Sequence, residues 1–295
     1  MSFSSFLRCP LCGDVLVRDG GSLFCGGRTG KRHCYDISRE GYVNLLPPGK
    51  KNNARTGDEA DMIAARRRFL GGGYYDGISD AAASLCARLL FEEKPKLHLL
   101  DAGSGEGYHT CRIARRLSEM SGAAVEMCGI DASKRGAASG ARLASAMPAG
   151  TEVSFAAGNI FSLPVADRSV DAVFSLFAPV PGAEAHRVLR DDGVLIVVAS
   201  GSRHLWELRS LLYEEVRENT EAPAVPEGFT PVAAEKYRAS VHIPDPETLN
   251  ALFTMTPFYY RSPREGRERL ASAKELTVRV EADLYAFRKC TDHNE

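Results

Sequence analysis

Between residues 97 and 107 the chain reads Leu-His-Leu-Leu-Asp-Ala-Gly-Ser-Gly-Glu-Gly, and this stretch constrains the fold more than any other. Its short apolar run reads as a buried parallel strand. The run closes on Asp101, and three glycines follow at alternate positions, Gly103, Gly105 and Gly107. With no Cβ in the way, glycine lets the backbone turn sharply and come close to a ligand. Tyr108 to about Leu117 then has helical character. A dinucleotide-binding turn is Gly-x-Gly-x-x-Gly, with a diphosphate on the helix N-terminus. The spacing here is Gly-x-Gly-x-Gly behind an acid, which is a different device.

The segments that follow repeat the pattern. Ala124 to Ile130 is a second apolar strand ending in Asp131, at the distance expected of a ribose-binding acid. A carboxylate there can accept both ribose hydroxyls, or it can cap a helix, since Ser133 and Lys134 follow. Val153 to Ala157 is a third strand, followed by Gly158-Asn159 and Leu163-Pro164. Asp171 to Pro179 is a fourth that ends in a proline-containing loop, and Arg187 to Gly193 reads as a turn into a fifth, Val194 to Val198. Strands alternating with helices imply right-handed crossovers and a doubly wound α/β sheet with ligands at the carboxyl ends of its strands. Asp101, Asp131, Asn159 and the Phe177-Ala178-Pro179 loop all fall at those ends. The acid and its three glycines resemble the first motif of S-adenosylmethionine (AdoMet) methyltransferases, whose cofactor carries no phosphate. That resemblance implies a Rossmann-like AdoMet-methyltransferase sheet, with Asp101, Gly103, Gly105, Gly107, Asp131 and Asn159 around the cofactor.

Four of the eight cysteines, Cys9, Cys12, Cys25 and Cys34, crowd into the first 34 residues. Cys9-Pro-Leu-Cys12-Gly13 has knuckle spacing: two thiolates can share one metal ion while glycine permits the reversal. Cys25 opens a second half that ends in His33-Cys34. So small a module has too little core to fold without a staple, and four tetrahedral ligands make the expected Zn²⁺ structural. Spacing identifies three ligands and leaves the fourth open between His33 and Cys34. The other four, Cys86, Cys111, Cys128 and Cys290, are scattered, as buried free thiols of a reducing compartment would be.

No apolar run is long enough to cross a bilayer and no signal layout opens the chain, so a cytoplasmic, non-membrane protein is expected. A net charge of −1 excludes a uniformly basic nucleic-acid binder. From Arg28 to Gly72, however, ten Lys and Arg stand against five acids, which is enough for a phosphate-binding surface or for a merely solvated linker and helix face. Pro47 to Asn53 has linker composition, and Asp58 to Leu70 reads as a helix with acids first and arginines last. The expected organisation is a zinc ribbon at 1–46, a linker at 47–60 and a methyltransferase domain at 61–295.

In their order, several motifs are more specific than a generic methyltransferase signature. They are Cys9-Pro-x-Cys12 with Cys25 and His33; Glu40-Gly-Tyr-Val-Asn-Leu-Leu46; Ala65-Arg-Arg-x-Phe-Leu70 followed by Tyr75; Asp101 to Gly107; Ala178-Pro179; and Arg203-His-Leu-x-Glu-Leu208. The chain resembles, over nearly its whole length, the ribosomal RNA large subunit methyltransferase A family, which methylates guanine N1 in 23S ribosomal RNA. The resemblance implies AdoMet contacts from Tyr75, Gly105, Glu106 and His204. It implies His33 as the fourth zinc ligand, although an insertion between Cys25 and His33 keeps Cys34 as the alternative. It also implies a homodimer whose two ribbons flank the RNA. From the residues alone, Tyr75 can instead be a core aromatic and His204 a helix cap. Guanine N1 carries a proton, so a base or donors to O6 are needed. The target must also leave its stack, which points to a hairpin loop as substrate. The expected pocket lies near Phe177, Pro179 and His204; Glu184 and Glu207 are candidate bases by position only. A small-molecule methyltransferase and a non-catalytic RNA-binding assembly factor remain as alternative functions.

Overall fold

The computed structural model describes residues 3–27, 30–47, 60–90, 94–220 and 222–290. Its N-terminal part is built from strands too short to make a core of their own. β1 (Leu16–Asp19), β2 (Ser22–Cys25) and β3 (Cys34–Asp36) form an antiparallel sheet in that order. Gly20, at φ +59°, makes the tight turn between the first two. A two-residue strand, β4 (Val43–Asn44), follows.

The remainder alternates as the apolar periodicity requires. Helices α1 (Ala60–Gly71) and α2 (Asp76–Leu89) precede β5 (Lys96–Ala102), α3 (Tyr108–Ser121), β6 (Ala124–Asp131), α4 (Lys134–Ala144) and β7 (Thr151–Ala157). Then come β8 (Val170–Leu176), α5 (Gly182–Val188), β9 (Leu189–Ser200), α6 (Trp206–Leu212) and β10 (Phe229–Ile243). The last elements are α7 (Pro246–Thr254), α8 (Phe258–Arg261), α9 (Arg264–Ser272) and β11 (Leu276–Lys289). Strand order is β10-β11-β9-β8-β5-β6-β7-β4, parallel throughout except for the pairings of β11 with β9 and β10. The chain winds outward from β5 through β6 to β7, then returns to the other side of β5 for β8 and β9. That reversal beside β5 is the topological switch point where such sheets bind ligands.

Side-chain alternation along β5 sends Leu97 and Leu99 into one apolar cluster and Leu100 and Ala102 into the other. Fully buried Phe155 wedges β7 against the helices: a Cβ on Gly107, Gly129 or Gly140 would stand 2.5 or 2.6 Å from its ring. Truncating a wedge of this size costs about 3–5 kcal/mol. Ser133 caps α4 by accepting from the Gly136 N–H, and Asp245 caps α7 by accepting from Thr248, with Pro246 at the first helical position.

Two sequence expectations need adjustment. Arg187 to Gly193 is not simply a turn. Arg187 and Val188 end α5, and β9 starts at once with Leu189 opposite Val170; pairing resumes at Val194 opposite Ala172, so Arg190–Gly193 bulges out of the ladder. The described residues of the basic run from Arg28 to Gly72 do not form one surface either. Lys31, Arg32 and Arg39 are exposed near the ribbon, Arg68 pairs with Glu247, and Arg66 turns inward. Arg28, Lys50, Lys51 and Arg55, most of the linker and the first residues of the expected helix lie outside the described residues.

Candidate cofactor cleft and metal centre

A cleft of about 1140 Å³ opens at the carboxyl ends of β5, β6, β8 and β9. Its floor is the glycine turn. Gly103 and Ser104 both donate to the Ile130 carbonyl, at 2.8 and 3.2 Å, and the Gly105 N–H donates to Asp131 Oδ2 at 3.0 Å. The turn is thus stitched to the end of β6, with Gly103, Gly105 and Gly107 at φ +95°, +54° and +86°. A Cβ on Gly103 would stand 2.6 Å from that of Ala178, so glycine is needed there for space as well as for backbone angle.

Gly103, Gly105, Glu106, Asp131, Asn159, Tyr75 and His204 all line the cleft, brought together from five segments. Two expected residues do not. Gly107 lies beneath, at the start of α3, and Asp101 is buried under the turn, where Thr110 Oγ1 donates to its Oδ2 at 2.5 Å. Burial first, and then the charges of Asp131 and Glu106, push the Asp101 carboxyl up to about 7 against the Thr110 hydrogen bond. Asp131 does not act as the cap of α4: its Oδ1 accepts from the Ser133 N–H at 2.7 Å, and Ser133 does the capping.

Also lining the cleft, Tyr75, Phe177 and His204 form an aromatic group. The Phe177 and His204 rings lie 6.1 Å apart and 27° from coplanar, with Tyr75 centred 6.4 Å from Phe177. Phe177, at φ +53°, holds a strained turn that leaves its ring 41% exposed to the cleft. His204 does not cap α6, whose N-cap position is Leu205. Its Nδ1 accepts from the Glu281 N–H at 3.1 Å, which puts the proton of the neutral ring on Nε2. Nε2 then donates to Tyr75 Oη at 3.0 Å. Burial lowers His204 to about 4 and raises Tyr75, so the ring stays neutral and the phenol keeps a proton to offer into the cleft.

Glu184 and Glu207 are not bases for this cleft. Glu184 accepts from the Leu163 N–H at 2.5 Å and pairs with Arg187, while Glu207 accepts from the Arg279 N–H at 2.8 Å and pairs with its guanidinium. Both carboxylates are consumed by backbone and arginine partners, and neither lines the cleft. Sequence reasoning overlooked His109, Arg66, Glu218 and Asn219, which do. His109 Nδ1 lies 2.7 Å from Ser79 Oγ, and burial with the charge of Arg66 lowers the ring to about 3. Its position directly after the glycine turn and Tyr108 was the available signal.

In the ribbon, one ligand atom each from Cys9, Cys12, Cys25 and His33 lies within 4.8 Å of all the others. His33 Nδ1 stands 3.5 Å from Cys9 Sγ and 3.4 Å from Cys25 Sγ, the separation of ligands sharing a tetrahedral zinc ion. The His33 N–H donates to Cys25 Sγ at 3.0 Å and, ahead of burial acting the other way, draws that thiol down to about 7, readying it as a thiolate. Tyr35 Oη lies 3.0 Å from Cys9 Sγ as an outer-shell partner. Cys34 is exposed and faces Asp36 instead: as the first residue of β3 it lies on the same face as Asp36, while His33, just before the strand, and Tyr35 turn to the thiols. The three thiols and the imidazole fit a structural zinc, with no open position for substrate.

Comparison with known proteins agrees with this geometry. Residues 7–54 match the RlmA N-terminal zinc ribbon and residues 93–239 a methyltransferase domain. A Bacillus subtilis protein named for 23S rRNA guanine-N1 methylation is 33% identical over 96% of this chain and 97% of its own. The chain belongs to the RlmA family. Further RlmA-type relatives include a Micromonospora griseorubida protein of the same name, 32% identical with 96% and 97% covered. The 23S rRNA (guanine(748)-N(1))-methyltransferase of Streptomyces fradiae is 29% identical with 93% and 94% covered.

Proposed function

We propose that this protein transfers a methyl group from AdoMet to N1 of a specific guanine in a hairpin loop of 23S ribosomal RNA. The observation that carries the reading is the cleft itself. A phosphate-free glycine turn meets a ribose-type carboxylate on one side and an exposed aromatic on the other, in a chain whose full-length relatives carry that name. When bound, AdoMet supplies an electrophilic methyl group on a sulfonium. Asp131 would accept the ribose hydroxyls, Asn159 would border the nucleoside, and Glu106 with the glycine turn would hold the other end. In-line methyl transfer asks the protein chiefly for alignment. Phe177 offers a face on which an extruded guanine can stack, with Pro179 beside it. Tyr75 Oη, one lone pair occupied by His204, donates its proton into the cleft. As the N1–C bond forms and the S–C bond breaks, the N1 proton would pass to solvent water, and charge that builds on guanine would be stabilised by donors of this kind.

The ribbon, 1–46, is read as the RNA-gripping head, its zinc held by Cys9, Cys12, Cys25 and His33, and 61–295 as the catalytic body. Two copies would place two heads around one RNA. Among the described residues no helix is long and apolar enough to cross a membrane. A protein that modifies ribosomal RNA would act in the cytoplasm.

Methylation at N1 blocks the Watson–Crick edge and halts reverse transcriptase. Primer extension on 23S RNA should therefore show one strong stop in cells with the gene and none in cells without it. Identical patterns would refute the RNA reading. Tritium from labelled AdoMet appearing in metabolite pools rather than in RNA would select the small-molecule alternative.

A further inference from the structure

The arginine run of α1 has no role in the account so far. Along this helix Met62, Ile63, Phe69 and Leu70 are buried, the three- and four-residue spacing of a core-facing stripe. Arg66 falls within that stripe. Arg67 and Arg68 face solvent, the latter 2.7 Å from Glu247. A long side chain at such a position usually carries its charge out to water. Arg66 instead reaches the glycine turn, 3.6 Å from where a Cβ on Gly105 would stand, with Nη1 3.4 Å from Glu106 Oε2. Arg66 is 25% exposed and Glu106 only 4%, and withdrawing such a pair from water has a desolvation cost. Both line the cleft beside the glycine turn.

We infer that Arg66 and Glu106 recognise the amino-acid end of AdoMet, Arg66 taking the carboxylate and Glu106 the ammonium. The inference rests on the cofactor reading above and deepens it. The methionine end of the cofactor is a zwitterion, and the pair presents the opposite charges in the opposite order. A planar guanidinium matches a carboxylate with two parallel hydrogen bonds. The sequence run Ala65-Arg66-Arg67-Arg68 thereby acquires a function for its first arginine only, since the helix turns the other two away.

Calorimetry on the full-length protein tests this with AdoMet, S-adenosylhomocysteine and 5′-methylthioadenosine, the last lacking the amino-acid end altogether. Arg66→Met keeps the aliphatic bulk. It should weaken the first two ligands roughly 10- to 100-fold, as charge-assisted hydrogen bonds are worth, and leave the third within about 2-fold. Arg66→Lys should fall between, because an ammonium cannot bind a carboxylate in parallel. It also serves should the methionine variant melt early. Glu106→Gln should likewise spare methylthioadenosine. Equal losses for all three ligands would mean that Arg66 only shapes the cleft, and unchanged AdoMet affinity would mean that it does not touch the cofactor; either overturns the inference. A wild-type protein that binds none of the three would bring down the cofactor reading itself, a different failure.

Discussion

The zinc ribbon and the cofactor cleft reach defined geometry by opposite routes. In the ribbon, three short strands surround four ligand atoms, and its buried side chains Leu7, Leu16 and Leu23 belong to a cluster completed by the body. The metal substitutes for a core. In the cleft no ion is needed, because a glycine turn is pinned between β5 and β6 by a sheet buried on both faces. Parts held by a ligand can be lost alone, whereas parts held by a core fail only with the whole fold.

The sharpest break of that contrast is Cys12→Ser. Zinc should fall from one per chain to near zero by elemental analysis, and RNA methylation by about 100-fold, the upper range for a lost metal site. AdoMet affinity should stay within about 2-fold. Loss of AdoMet binding together with zinc would show that the two regions are not separable. The reciprocal change, Gly105→Val, places a branched side chain at φ +54°, a strain of about 1–3 kcal/mol, and stands it in the cofactor's path. AdoMet affinity should drop by roughly 10-fold or more while zinc content stays at one.

A smaller effect separates the regions by pH. Asp101, pushed up to about 7, keeps a proton in the folded state that the unfolded chain gives up near pH 4. Its contribution to stability is therefore fully present below about pH 4 and is lost as pH rises through 7. In ligand-free protein, Asp101→Asn should gain a few degrees of Tm over wild type between pH 5.5 and 8.5. A difference that stays flat across that range would place the Asp101 proton elsewhere. The smallest effects are expected from Glu184→Gln and Glu207→Gln, whose carboxylates serve Leu163, Arg187 and Arg279. Methylation rates should remain within about 3-fold at saturating substrates, the change being one of stability. A 100-fold fall in rate for either would return it to the chemistry.

Much of this was legible before the fold. The Asp101–Gly107 turn, the strand ends at Asp131 and Asn159, and the pair Cys9 and Cys12 depend on backbone angle and on spacings of a few residues. Those constraints are local, so they show in a linear reading. The reading erred where a local signal had two outcomes. Arg190–Gly193 has turn composition, but β8 pairs with Leu189 before it and with Val194 after it, which makes it a bulge within β9. Glu184 and Glu207 sit near strand ends in the chain, yet arginines in range draw them away from the cleft.

What the chain determined by itself is therefore the sheet's winding, the phosphate-free turn and the metal-binding spacing, because glycine angles and apolar periodicity act between near neighbours. Only the tertiary structure chose His33 over Cys34, since the chain entering β3 can present one of two adjacent side chains to the thiolates. Only the tertiary structure, too, joined Tyr75 to His204 across 129 residues and turned Arg66 inward. Such contacts follow from how helices seat on a sheet, and no spacing along the chain encodes that directly.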